Sequence, residues 1–123
     1  MRVEIKMKLP SLNEYINVCR ANRFRAGSYV KGIEDQIGWF LTGLPVYHNP
    51  IWIHFHWIEQ NRKRDLDNIA FAKKFILDAM VKMKKIKDDS SKYVAGFTDT
   101  FDYGKETKVI LYIDEEMDWN DTK

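Results

Sequence analysis

Apolar and polar residues alternate from the start of the chain. Val3, Ile5 and Met7 are separated by Glu4 and Lys6, the period-two pattern of a strand with one buried face. Pro10 ends it. Ser11-Leu12-Asn13-Glu14 has the form of a capping box, with Ser11 as N-cap and Glu14 at the third helical position. It predicts a helix whose apolar stripe is Leu12, Tyr15, Ile16 and Cys19. Ala26-Gly27-Ser28 predicts a break or corner, after which Val30, Ile33, Ile37 and Phe40 restore helical spacing as far as Gly43 and Pro45. The stretch IWIHFHWI, residues 51–58, is aromatic and β-branched and predicts a strand covered on both faces. Residues 67–84 return to helical spacing through Ile69, Ala72, Ile76, Ala79, Met80 and Met83, with Asp67 as N-cap. Residues 84–91 read as a turn, 92–101 as a strand, 102–106 as a loop around Gly104, and 108–113 as the last strand. The acidic tail, about 114–123, is expected to fray.

The order β-α-β-α-β-β, with the first helix divisible in two, predicts an α+β fold. A small mixed β-sheet with helices packed on one side is its simplest packing. No repeat, linker or low-complexity tract interrupts the 123 residues, so 1–123 reads as one domain. The single cysteine, Cys19, excludes an intramolecular disulfide and a cysteine zinc site. Its place on an apolar helix face predicts a buried, inert thiol, and such a chain suits a reducing cytoplasm. The N-terminal MRVEIKMKLP lacks the continuous apolar run of a signal peptide. No segment reaches the ~20 apolar residues of a membrane span.

Charge changes the picture through its distribution. The net formal charge is only +2, but residues 61–92 carry 10 basic and 5 acidic residues, whereas 93–123 carry 3 and 8. A local basic region inside a nearly neutral chain is the footprint expected of a nucleic-acid binder. A solvated surface is the plainer alternative. Arg20, Arg23 and Arg25 form a second, smaller basic group.

Candidate chemistry centres on Arg62-Lys63-Arg64-Asp65-Leu66-Asp67-Asn68. Alternation in an extended approach to the helix would point Asp65 and Asp67 the same way. Paired carboxylates suit a hard cation such as Mg²⁺, which completes its shell with water and substrate phosphate. The plainer reading makes Asp67 a cap and Asp65 a surface partner of Arg64. Asp88-Asp89 follow the helix. A helix of that length, ~27 Å, separates them from the first pair unless the chain folds back. Lys74, seven residues after Asp67, lies near the same helical face and within (i, i+4) reach of Asp78, while Lys73 points elsewhere. Lys74 is thus a candidate for the scissile phosphate, or simply half of a surface pair. Lys82, Lys84, Lys85 and Lys87 crowd the helix end, where the dipole favours cations and where phosphate contact is the functional alternative. His54 and His56 share a strand face, and a packed or hydrogen-bonded face is favoured over a metal site.

Residues 61–97 resemble the RusA family of Holliday-junction resolvases. The residues that carry the resemblance are Arg64-Asp65-Leu66-Asp67-Asn68, Leu77-Asp78-Ala79-Met80, and Lys87-Asp88-Asp89-Ser90 with Val94 soon after. Leu9-Pro10-Ser11-Leu12-Asn13 is similar to the family's segment after the first strand. The resemblance implies a homodimeric, Mg²⁺-dependent endodeoxyribonuclease, often prophage-encoded, that cuts four-way DNA junctions; Mn²⁺ is the expected substitute ion. It implies catalytic roles for Asp65, Asp67, Asp89 and a lysine, with Asp88 as an additional metal ligand. The lysine slot departs from the family pattern: four residues after Asp67 stands Phe71, and four before Asp78 stands Lys74. Lys74 is preferred to Lys73. DNA contacts are expected from Arg62, Lys63, Arg64, Asn68, Lys73, Lys82, Lys84, Lys85 and Lys87. The competing readings are a non-catalytic holder of branched DNA and a nuclease of broader DNA or RNA specificity.

Overall fold

A computed structural model describes residues 1–116. The elements in chain order are β1 (Arg2–Ile5), α1 (Leu12–Ala21), α2 (Arg23–Leu41), β2 (Ile51–Glu59), α3 (Leu66–Ala70), α4 (Lys73–Lys82), β3 (Val94–Tyr103) and β4 (Lys108–Glu115). The fold is α+β, with a four-stranded mixed sheet in the order β1-β4-β2-β3. Strand β2 is the pivot, parallel to β3 and antiparallel to β4.

The core forms between one sheet face and the helices. Val3, Ile5, Ile53, Phe55, Trp57, Val109, Leu111 and Ile113 from the strands meet Ile33, Ile37, Leu41, Phe75, Ile76 and Met80 from α2 and α4. Strand β2 was expected to be covered on both faces, and it is not. Its odd-numbered residues are buried, while Trp52 is half exposed and His54, His56 and Ile58 are partly covered. The run looked doubly buried because aromatic side chains occupy both faces. On the second face they hydrogen-bond along the sheet instead of entering a core. His54 bridges the Thr98 and Thr100 hydroxyls, and His56 meets Asp102 at 3.2 Å, so the histidines form the hydrogen-bonded strand face expected of them.

Ser11 caps α1 as anticipated, its hydroxyl accepting from the Glu14 N–H at 3.2 Å. The corner between the first two helices lies at Asn22, not at 26–28. The Asn22 side-chain oxygen accepts from the backbone N–H groups of Phe24 and Arg25, which satisfies donors that a helix start leaves free. Gly27 sits inside α2, where its conformational freedom is suppressed.

The long second helix is also divided. Two i→i−3 bonds, Lys74 N–H to Phe71 O and Phe75 N–H to Ala72 O, both 3.0 Å, make a tightened turn between α3 and α4. Tertiary packing explains it: Phe71 and Phe75 both pack on Tyr15 of α1, tilted and edge-on, at 5.6 and 5.7 Å between centroids. The C-terminal strand continues further than expected. Glu115 accepts from the His48 and Asn49 N–H groups, and the Glu116 carboxylate accepts from the Trp52 indole at 2.7 Å. Thus 114–116 are tied down, and the expected fraying concerns only 117–123, outside the described residues. No helix among the described residues is long and apolar enough to cross a membrane.

Candidate metal and nucleic-acid site

The chain between β2 and α3 is organised by Arg64. Its Nε donates to Glu59 Oε1 at 2.6 Å, its Nη1 donates to the Leu9 carbonyl at 2.8 Å, and Glu14 lies at 3.7 Å. The Arg64 and Glu59 side chains are only 16% and 8% exposed. Arg64 was expected to hold DNA; enclosed in this way, it instead fastens the end of β2 to the entry of α1. Close by, the Asn68 side-chain oxygen accepts from the Asn13 N–H at 3.2 Å, so Asn68 also serves the fold. These contacts join two segments 55 residues apart. Ser11, Asn13, Lys63, Arg64, Asp65 and Asn68 line one shallow depression.

Asp65, not Asp67, occupies the N-cap position of α3, with extended backbone and no side-chain cap bond. Asp67 lies inside the first helical turn. The two are therefore not alternating residues of one extended segment, as expected, but an extended residue and a helical one on either side of Leu66. Both are exposed, and among the described residues neither joins an ion pair or side-chain hydrogen bond. Asp35, Asp78, Asp99 and Asp102, by contrast, are all engaged. An Asp at an N-cap position usually accepts from the helix N–H groups. Asp65 leaves that capacity unused.

Lys74 donates to Asp78 at 3.2 Å across one helical turn, the pair that the spacing predicted. The same hydrogen bond and charge raise the Lys74 pKa, with smaller contributions from Tyr15 and Asp89. Asp89 contributes through its charge alone and least of these. Asp88 turns inward to Ser90, whose hydroxyl and backbone N–H lower its pKa.

The basic residues divide into engaged and free. Lys73 donates to Asp99 at 2.7 Å and lies 3.9 Å from the centroid of the Phe97 ring. Asp99 also accepts from the Trp57 indole at 2.8 Å. Lys73 was expected to contact DNA; the structure commits it to this semi-buried network between α4 and β3. Lys82 pairs with Asp35 at 2.9 Å. Lys85 donates to the Leu44 and Thr42 carbonyls past the end of α2. Lys84 adopts a left-handed conformation, φ 59°, and its N–H and that of Lys85 bond to Val81 and Met80 carbonyls. That is a helix-ending motif which usually carries glycine. Lys63, Lys84 and Lys87 keep exposed, unpaired ammonium groups among the described residues, and Arg62 stacks at 4.1 Å over the exposed Tyr103 ring. The Lys73–Asp99–Trp57 network escaped sequence reasoning because its members come from three distant elements.

Among the described residues, no three His, Cys, Asp or Glu side chains converge as a ready metal cage. The donor set still fits Mg²⁺ in kind, since this cation commonly takes one or two carboxylates and completes its octahedron with water and phosphate. Asp65 and Asp67 are two unengaged hard-oxygen donors among the described residues. No protein-family model matches the chain, and no curated protein matches it.

Proposed function

We propose that this protein is a metal-dependent, structure-selective endodeoxyribonuclease of the RusA type, acting as a homodimer on four-way junctions and related branched DNA. The observation that carries this reading is the pair Asp65 and Asp67, unengaged beside Arg62 and Lys63 at the end of a parallel strand pair. The Asn13–Asn68 bond adds to it by joining the two segments on which the resemblance rests.

Asp65 and Asp67 would hold a Mg²⁺ or Mn²⁺ ion. The chemistry supplied by such a cation is neutralisation of phosphate charge and a more acidic water, as in-line displacement requires. Arg62, Lys63, Lys84 and Lys87 offer free cations to the phosphate backbone, which positions DNA without reading its sequence. Lys74 stays protonated because Asp78 raises its pKa. It therefore acts as a fixed positive charge toward a developing phosphate anion, not as a proton acceptor. Asp89, whose charge adds to the raised pKa of Lys74, is the third carboxylate of the proposal.

One observation favours a second reading, a non-catalytic holder of branched DNA: Phe71 stands four residues after Asp67, where the family pattern has its lysine. The test uses an end-labelled four-way junction, a matched duplex and a matched RNA duplex, in Mg²⁺, Ca²⁺ or EDTA. Paired nicks on the junction in Mg²⁺ alone support the resolvase. Binding without nicks in any ion supports the holder, and equal cleavage of all three substrates supports a broad nuclease.

A further inference from the structure

Phe24 is the most exposed large apolar side chain among the described residues, at 91%. It stands at the corner between α1 and α2, where Asn22 secures the backbone by accepting from the Phe24 and Arg25 N–H groups. The aromatic ring is thereby held outward on a fixed helix start. Around it in sequence stand Arg20, Arg23 and Arg25, all exposed and outside every ion pair among the described residues. No acidic residue occurs between Glu14 and Glu34. A projecting aromatic ring amid arginines also occurs at protein interfaces, but here the three arginines have no acid nearby in sequence and favour a polyanion. The arrangement suits a nucleic acid, where the ring stacks on a base and the guanidinium groups meet phosphates.

Position supports the same partner. Asn13 at the start of α1 touches the acid-bearing segment, and Phe24 lies just beyond the other end of that helix. Ten helical residues separate them by roughly 15 Å, a distance that about four or five stacked nucleotides span at ~3.4 Å each.

We propose that Phe24, flanked by Arg20, Arg23 and Arg25, stacks on an unstacked base of branched DNA and so contributes to selection of the branch over plain duplex. This rests on the nuclease reading for its partner, but it concerns binding alone. Stacking on an aromatic side chain needs a base whose face is free, and a continuous duplex presents none in its interior.

The test is binding in Ca²⁺, with a fluorescent four-way junction and a matched duplex as probes. A second junction carries 2-aminopurine at the crossover, to report base unstacking. Phe24→Ala should weaken junction binding about tenfold, the scale of one lost aromatic–base stack. It should leave duplex binding unchanged and reduce the 2-aminopurine response. Phe24→Trp should restore both. Because the ring is exposed, the thermal midpoint should not move. The inference is overturned if Phe24→Ala binds the junction like the wild type, or if junction and duplex weaken equally. It is also overturned if the variant alters only self-association. A wild type that binds no DNA overturns it together with the nuclease reading. A wild type that nicks junctions while Phe24→Ala binds normally overturns this inference alone.

Discussion

Arg64 illustrates how one side chain can be misassigned from its neighbours in sequence. It stands in a run of three cations, yet it alone folds inward to Glu59 and the Leu9 carbonyl. Its partners were illegible because one ends β2 and the other precedes α1. Breaking a buried ion pair on one side leaves the other charge uncompensated. Arg64→Ala should therefore lower unfolding stability by about 3 kcal/mol in urea titration, whereas Lys63→Ala should change it by less than about 0.5 kcal/mol. Equal, small effects would place Arg64 back among the free cations. Glu34 supplies a second residue-scale expectation. Burial, and next the charge of Asp78, raise its pKa above 4.5. The folded state then binds a proton more readily than the unfolded state, so stability falls as pH rises from about 4.5 through the raised value. Glu34→Gln should accordingly raise the thermal midpoint at pH 7, with the gain shrinking as the pH is lowered to 4. A gain independent of pH would contradict this account.

At the scale of elements, local signals located what local physics controls. The Ser11 cap, the Lys74–Asp78 pair and the period of β2's buried face were all readable, because each depends on residues a few positions apart. Helix boundaries set by partners were not. The turn at Phe71 and Ala72 follows from how Phe71 and Phe75 meet Tyr15 on another helix. The corner expected at Gly27 moved to Asn22, because a side-chain cap fixes a helix start while an exposed glycine merely weakens a helix. A Cβ added at Gly27 meets nothing within 4 Å. Gly27→Ala should thus stabilise the protein by about 0.5–1 kcal/mol in chemical unfolding. Destabilisation would mean that the segment bends there after all.

Across the whole molecule, the sheet and its single helical layer were legible in outline, and the candidate site only in part. Asp65 and Asp67 were found by spacing, and the structure keeps both unengaged at one end of the sheet. The recruitment of Lys73 by Asp99 and of Lys85 by the end of α2 depends on the finished fold. With Arg64, Asn68 and Lys82, five of the nine expected DNA contacts are committed elsewhere, which leaves Arg62 and Lys63, and Lys84 and Lys87 past α4, as the free cations of that set.

The central claim is that Asp65 and Asp67 serve metal-dependent phosphodiester cleavage and not folding or DNA grip. The most direct measurement compares wild type with Asp67→Asn on a labelled four-way junction, scoring nicking in Mg²⁺ and affinity in Ca²⁺, with thermal unfolding as a control. The account predicts nicking reduced at least about a hundredfold, a loss near 3 kcal/mol in the barrier, with affinity and unfolding midpoint unchanged. Undiminished nicking by Asp67→Asn, or a loss of binding that matches any loss of nicking, would contradict it.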